Sequence, residues 1–114
     1  MTRRVCLALD LVDDPDLIAR YRDWHAPGRG WPEVTASMKA AGILDMEIYH
    51  VGDRLFMIME VADGFDWDEK RELDAREPRN REWEELMARF QKPLPCAAPD
   101  EKWVEMERIY KLPV

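Results

Sequence analysis

Apolar and polar positions alternate at both ends of this chain and recur with a helical period between them. Across residues 3–11, Val5, Leu7, Leu9 and Leu11 fall on one side, with Cys6, Ala8 and Asp10 on the other. That is the period of a strand with one face in a core. Asp13-Asp14-Pro15 then places a capping residue before a proline at the first turn of a helix. Leu17, Ile18, Tyr21 and Trp24 or His25 form that helix's inner stripe. Ala26-Pro27-Gly28 must stop it. Trp31-Pro32-Glu33 opens a second helix over residues 31–41, with Val34, Met38 and Ala41 inward and Gly42 as its stop.

Ile43–Val51 reads as a second strand, with Leu44, Met46 and Ile48 opposed to Asp45, Glu47 and Tyr49. Gly52-Asp53 is a short turn into a third strand over residues 54–61, making a hairpin. Both faces of that strand are apolar, Leu55, Met57, Met59 and Val61 against Phe56 and Ile58, so each face needs a cover. Residues 65–76 are highly charged and only weakly patterned, and Pro78 breaks them. Residues 79–90 form an amphipathic helix with Trp83, Leu86, Met87 and Phe90 at i, i+3, i+4 and i+7. Pro93, Pro95 and Pro99 punctuate a loop, and residues 102–110 read as a last strand. No internal repeat or domain boundary interrupts 1–114, so one domain is expected. The order β-α-α-β-β-α-α-β, each helical pair counted as one crossover, is the ferredoxin-like βαββαβ plan of an α+β protein. Helices on one face of four strands leave the other face bare. The two-sided apolar character of the third strand predicts that a second copy of the chain covers it, as a homodimer packed sheet on sheet.

Composition narrows the partners. A net charge of −7 argues against nucleic acid, whose binding rests on phosphate neutralisation by Lys and Arg, and against anionic lipid. No apolar run approaches the roughly 20 residues of a membrane span. The N-terminus lacks the apolar segment of a signal peptide. Cys6 and Cys96, without metal-ligand spacing, point to a reduced, cytoplasmic setting. Two histidines twenty-five positions apart make no metal cluster, and neither a phosphate-cradling glycine loop nor a Gly-x-Ser-x-Gly elbow is present. No cofactor is expected.

The candidate chemistry lies around His25. Tyr21, Trp24 and His25 share a helical face that ends at a turn, a place for proton transfer beside rings on which a sugar's C–H face stacks. The plainer alternative is a histidine that caps its helix, a tyrosine that fills core, and a Trp83 that packs on its stripe. Trp24, Trp31, Trp67 and Trp103 read as packing or dimer residues rather than ligands. Asp10, Glu47, Glu60, Glu105 and Glu107 lie on strands, where most should be solvated or paired with Arg54 or Arg108, with one left as a possible second base. His50 reads as a surface residue, and the charged run 66–81 as a solvated helical face.

The chain also resembles the L-rhamnose mutarotase family, including relatives assigned to L-fucose. The resemblance rests on Tyr21-x-x-x-His25, Trp31-Pro32-Glu33, the segment from Gly42 to Ile48-Tyr49, Leu55-Phe56-x-x-x-Glu60, Trp83, and the closing Tyr110-Lys111-Leu112-Pro113. It implies a dimeric ferredoxin-like α+β barrel that interconverts the α and β anomers of a 6-deoxy-L-sugar. The family's proton donor falls on His25 and a sugar-contacting tyrosine on Tyr21. Its paired tryptophans fall on Glu82 and Trp83, so only the second is kept, and a further sugar-contacting tyrosine falls on Met46. The chemistry therefore transfers better than the substrate, leaving L-fucose as plausible as L-rhamnose. Opening the pyranose needs a proton delivered to the ring oxygen and one removed from the anomeric hydroxyl, work a histidine performs near neutral pH. Two other readings compete: a non-catalytic dimeric domain that binds a small ligand or a protein, and cofactor-free oxygenase chemistry on an aromatic substrate.

Overall fold

A computed structural model describes residues 2–114. Strand β1 (Thr2–Leu11) leads through α1 (Pro15–Trp24) and α2 (Pro32–Ala40) to the hairpin of β2 (Ile43–Val51) and β3 (Arg54–Ala62). Helices α3 (Trp67–Ala75) and α4 (Pro78–Ala88) follow, then two short strands, β4 (Gln91–Lys92) and β5 (Val104–Glu105). The sheet runs β2-β3-β1-β4, with β5 also on β1 and every described pairing antiparallel. This is the ferredoxin-like α+β order expected from the sequence, with β4 and β5 sharing the place of the fourth strand.

The helix starts follow their caps. The Asp14 carboxylate accepts from the backbone amides of Asp16 (2.9 Å) and Leu17 (3.1 Å), with Pro15 at the first turn. Asp66 and Glu77 cap α3 and α4 in the same way. The stops follow the glycines. Gly28 and Gly42 adopt φ of 83° and 95°, which residues bearing a Cβ rarely take, and Gly42 lies where an added Cβ would stand 3.5 Å from that of Ala62.

The core lies between the sheet and the helices. Leu7, Leu9 and Leu11 of β1 and Leu55, Met57, Met59 and Val61 of β3 are buried there, joined by Tyr21, Val34, Met87 and Phe90 from the helical side. On the opposite face Phe56 and Ile58 are half-buried, and Arg54 forks onto the buried Asp10 carboxylate at 2.7 and 3.2 Å.

Two expectations need correction. Leu44 is 60% exposed rather than inward, because a register shift between Ile43 and Asp45 turns Ile43 into the core and leaves Met46 and Ile48 facing it. The last strand is also far shorter than residues 102–110: only Val104–Glu105 pairs, opposite Ala8 and Leu7, with one more backbone bond from Met106 to Cys6 (2.7 Å). Beyond it Ile109, Tyr110 and Leu112 are exposed. Strand β4, opposite Asp10 and Leu11, was not expected, because two residues are too few to display an alternation.

Candidate active site

Three helices each turn a stripe of spacing i, i+3, i+4 toward one concavity: Tyr21, Trp24 and His25 from α1 and its cap, Trp31, Val34, Thr35 and Met38 from α2 and its cap, and Asn80, Trp83, Glu84 and Met87 from α4. The sheet supplies the floor through Leu7, Met46, Ile48, Met57 and Met59. The cavity holds about 300 Å³, at the small end of the ligand-site range. A second, more open concavity of about 320 Å³ shares Tyr21, His25 and Ile48 and is lined besides by Arg22, Tyr49, His50 and Leu55. His25 therefore stands at a wall common to both.

The residues named from sequence come together here, with one exception. The His25 ring lies 4.4 Å from that of Tyr21 and 5.7 Å from that of Trp83, centroid to centroid. Met46 lines the same cavity. Glu82 is not part of the lining; it is exposed and bonded to Arg79 at 2.7 Å, because it sits one position off the inward stripe of α4.

His25 is partly open to solvent yet held in place. As the cap of α1 its backbone amide bonds back to Arg22 (3.1 Å), and its Nδ1 donates to the carbonyl of Tyr21 at 2.8 Å. A carbonyl only accepts, so the proton on that bond belongs to Nδ1. Nε2 is left as the nitrogen that gains and loses a proton. Tyr21 is the reverse case, 3% exposed. Burial pushes its phenol up to about 12; a hydrogen bond from the Gln91 amide pulls it down, and the Glu84 charge adds to the rise. At neutral pH it is a neutral hydroxyl, able to donate but not to act as a base.

Four tryptophans read from sequence as packing or dimer residues line the cavity with Trp83, so all five in the chain do. Trp24, Trp31 and Trp83 meet edge to face at 5.1–6.2 Å, with the Arg79 guanidinium 3.8 Å over Trp31. The strand carboxylates lie elsewhere: Asp10 on Arg54, Glu60 near Arg4, Glu47 on the Tyr49 hydroxyl, Glu105 on the Trp67 indole. The carboxylates that line the cavity are Asp74, bound to Lys70 at 2.5 Å, and Glu84, bound to Lys102 at 2.8 Å. Asp74 falls within the charged run 66–81 that reads as a solvated helical face, and Glu84 within the amphipathic helix 79–90, whose apolar stripe assigns it no role. The signal that finds one of them is the mixed stripe Asn80, Trp83, Glu84, Met87, whose polar members keep the spacing of its apolar ones. Asn80, 8% exposed, ties three helices together, donating to Ser37 Oγ (2.9 Å) and to the Asp74 carbonyl (3.2 Å).

An aromatic-walled cavity with one exchangeable imidazole proton and a buried neutral phenol, set over a ferredoxin-like sheet, defines a small-molecule site fit for acid–base work. Residues 4–112 match the family described as L-rhamnose mutarotase, and the chain belongs to that family. It is 52% identical over 110 residues, 96% of its length and 88% of the relative's, to the L-fucose mutarotase of Xanthomonas campestris pv. campestris. It is 35% identical over 112 residues to a UPF0734 protein of Dictyostelium discoideum, covering 92% of this chain and 86% of that one. Among solved structures, an L-rhamnose mutarotase from Formosa agariphila superposes with a TM-score of 0.67 at 18% identity, covering 97% of this chain and 99% of that one. Tetracenomycin F2 cyclase from Streptomyces glaucescens superposes at 0.60 and 16% identity, over 98% of each chain. At those identities the two structures speak to the fold alone. The expected mutarotase class, carbohydrate isomerases that exchange sugar anomers, is borne out, and a purely non-catalytic domain is not favoured.

Proposed function

We propose that the protein exchanges the α and β anomers of a 6-deoxy-L-sugar, L-fucose before L-rhamnose, with His25 as the proton donor. The likeness to an L-fucose mutarotase supports fucose, and the loss of the family's tyrosine and first tryptophan at Met46 and Glu82 agrees with a site altered for a different hydroxyl pattern. The observation that carries the reading is the fixed His25 imidazole. Its Nδ1 is committed to the Tyr21 carbonyl, which leaves Nε2 for proton transfer, and the residue lines a tryptophan-walled cavity. Imidazolium Nε2 delivers a proton to the ring oxygen as the C1–O5 bond breaks, and the anomeric hydroxyl gives up its proton to a water molecule as its oxygen becomes that of the aldehyde. Rotation about C1–C2 and reclosure in reverse yield the other anomer. Trp83 supplies a stacking surface, and the neutral Tyr21 hydroxyl donates to a sugar oxygen. One positioned acid–base group accounts for about 10²–10⁴-fold of rate.

Residues 1–114 act as one domain in this reading, which the family match across 4–112 supports. The chain pairs with a second copy through the open sheet face, where Phe56, Ile58 and Val104 are half-buried, and through the apolar arm of Ile109, Tyr110 and Leu112. Among the described residues no helix is long and apolar enough to cross a membrane, and Cys6 and Cys96 are free thiols. Both agree with a cytoplasmic enzyme.

Saturation-difference NMR on L-fucose and L-rhamnose tests the activity. His25→Ala is expected to lose about 10²-fold or more of the enzymatic exchange rate while melting like the parent. A variant as fast as the parent would remove His25 from the mechanism.

A further inference from the structure

Gln91 was not singled out by any pattern in the sequence, and β4, which carries it, is two residues long. That strand pairs with the inner end of β1, Gln91 opposite Leu11, and the residue follows the buried Phe90. Its side chain lines the tryptophan-walled cavity beside Tyr21. Among the described residues, its Oε1 is the one side-chain polar atom shut off from solvent without a hydrogen-bond partner. Most buried polar atoms have partners, and an acceptor left orphaned bears its full desolvation penalty. A ligand that supplies the missing donor removes that cost.

Gln91 and Tyr21 line the same cavity, and the Gln91 Oε1 is unpaired. The Tyr21 phenol is neutral and has a proton to donate. Gln91 and Tyr21 together therefore offer one acceptor and one donor side by side. A sugar hydroxyl is both donor and acceptor, and two neighbouring hydroxyls match the pair.

We propose that Gln91 is a substrate-binding residue, its Oε1 accepting a hydrogen bond from one ring hydroxyl of the sugar while the neighbouring Tyr21 hydroxyl donates to another sugar oxygen. The inference rests on the sugar reading above and deepens it. A site built to satisfy a substrate hydroxyl rejects analogues lacking it, because its own polar group is then left unpaired. Gln91 thereby contributes to the choice between deoxysugars, whose hydroxyls differ in configuration around the ring.

The test is a cycle between residue and hydroxyl. Anomer-exchange kinetics are measured for the parent and Gln91→Met, an unbranched apolar replacement of similar length. The substrates are L-fucose and its 2-deoxy, 3-deoxy and 4-deoxy derivatives, or the L-rhamnose series if that is the sugar turned over. The parent is expected to show KM raised about five- to fifty-fold for one deoxy position. Gln91→Met is expected to show a comparable rise with the full sugar, little change in kcat, and no further penalty at that same position. A residue that merely packs would leave the deoxy penalty as large in the variant as in the parent, and that result overturns the proposal. Thermal melting and tryptophan fluorescence verify the fold. If Gln91→Met does not fold, Gln91→Asn, which draws the amide back by one methylene, takes its place with the same expectation. A parent that accelerates exchange of neither sugar overturns the sugar reading and this inference together; an active parent with an unchanged Gln91 variant overturns this inference alone.

Discussion

Tyr21 shows how one side chain couples stability to the site. Its phenol is buried and pushed up to about 12, against 10 in an open chain. Because the folded value is the higher one, the unfolded state loses its proton first as pH rises. Stability is therefore whole below about pH 10 and falls between about 10 and 12, by up to about 3 kcal/mol from this group. Tyr21→Phe should flatten that alkaline loss, as read from urea midpoints across pH 8–12. It should also raise KM at neutral pH, since the hydroxyl offered to the sugar is gone. A variant whose midpoint falls with alkali as steeply as the parent's would assign the loss to other groups. His25 behaves differently because it sits at a helix end, where the Tyr21 carbonyl left unpaired by the helix takes its Nδ1 proton. The same bond that satisfies the helix terminus leaves Nε2 open for chemistry.

Helix α1 places both residues, so its cap belongs to the site. The Asp14 carboxylate satisfies two orphan amides at the start of the helix. Asp14→Ala should cost about 1 kcal/mol, seen as a melting temperature lower by a few degrees. Anomer exchange at room temperature should stay near the parent's, because His25 lies at the other end. A large loss of kcat with an unchanged melt would contradict this division. On β2, the irregularity at Leu44 is equally consequential. Without it, Met46 and Ile48 would share a face with Leu44; with it, they join the cavity floor while Leu44 faces solvent. Strand β4 is the smallest element and carries Gln91 onto the cavity wall.

In the whole molecule, the sheet divides two roles. Its helix side holds the core and the cavity, and its other side carries the half-buried Phe56 and Ile58 and the Arg54–Asp10 pair. In the proposed pairing a second copy laid on that face would cover it, and the apolar arm from Met106 onward would add contact area. Sedimentation at micromolar concentration should give twice 13.5 kDa for the parent and 13.5 kDa for Ile58→Arg. A parent that sediments as one chain would overturn the pairing.

From residue order alone, the ferredoxin-like plan follows, along with the helix starts at Asp14-Pro15 and Trp31-Pro32, the hairpin, and the shared helical face of Tyr21 and His25; that Trp83 joins them comes only from the family resemblance. These rest on local signals: caps, prolines, glycines, and apolar spacing within one element. Tertiary structure decided what depends on contacts between distant segments. The bulge at Leu44, the two-residue strand at Gln91 and the brevity of β5 are settled by pairing with β1 and β3, which no short window contains. That all five tryptophans enclose one cavity, and that Glu84 and Asp74 line it while Asp10 and Glu60 do not, follows from how four helices converge on one sheet. Spacing along a helix defines a shared face, but only packing decides whether that face meets a filled core or an open cavity.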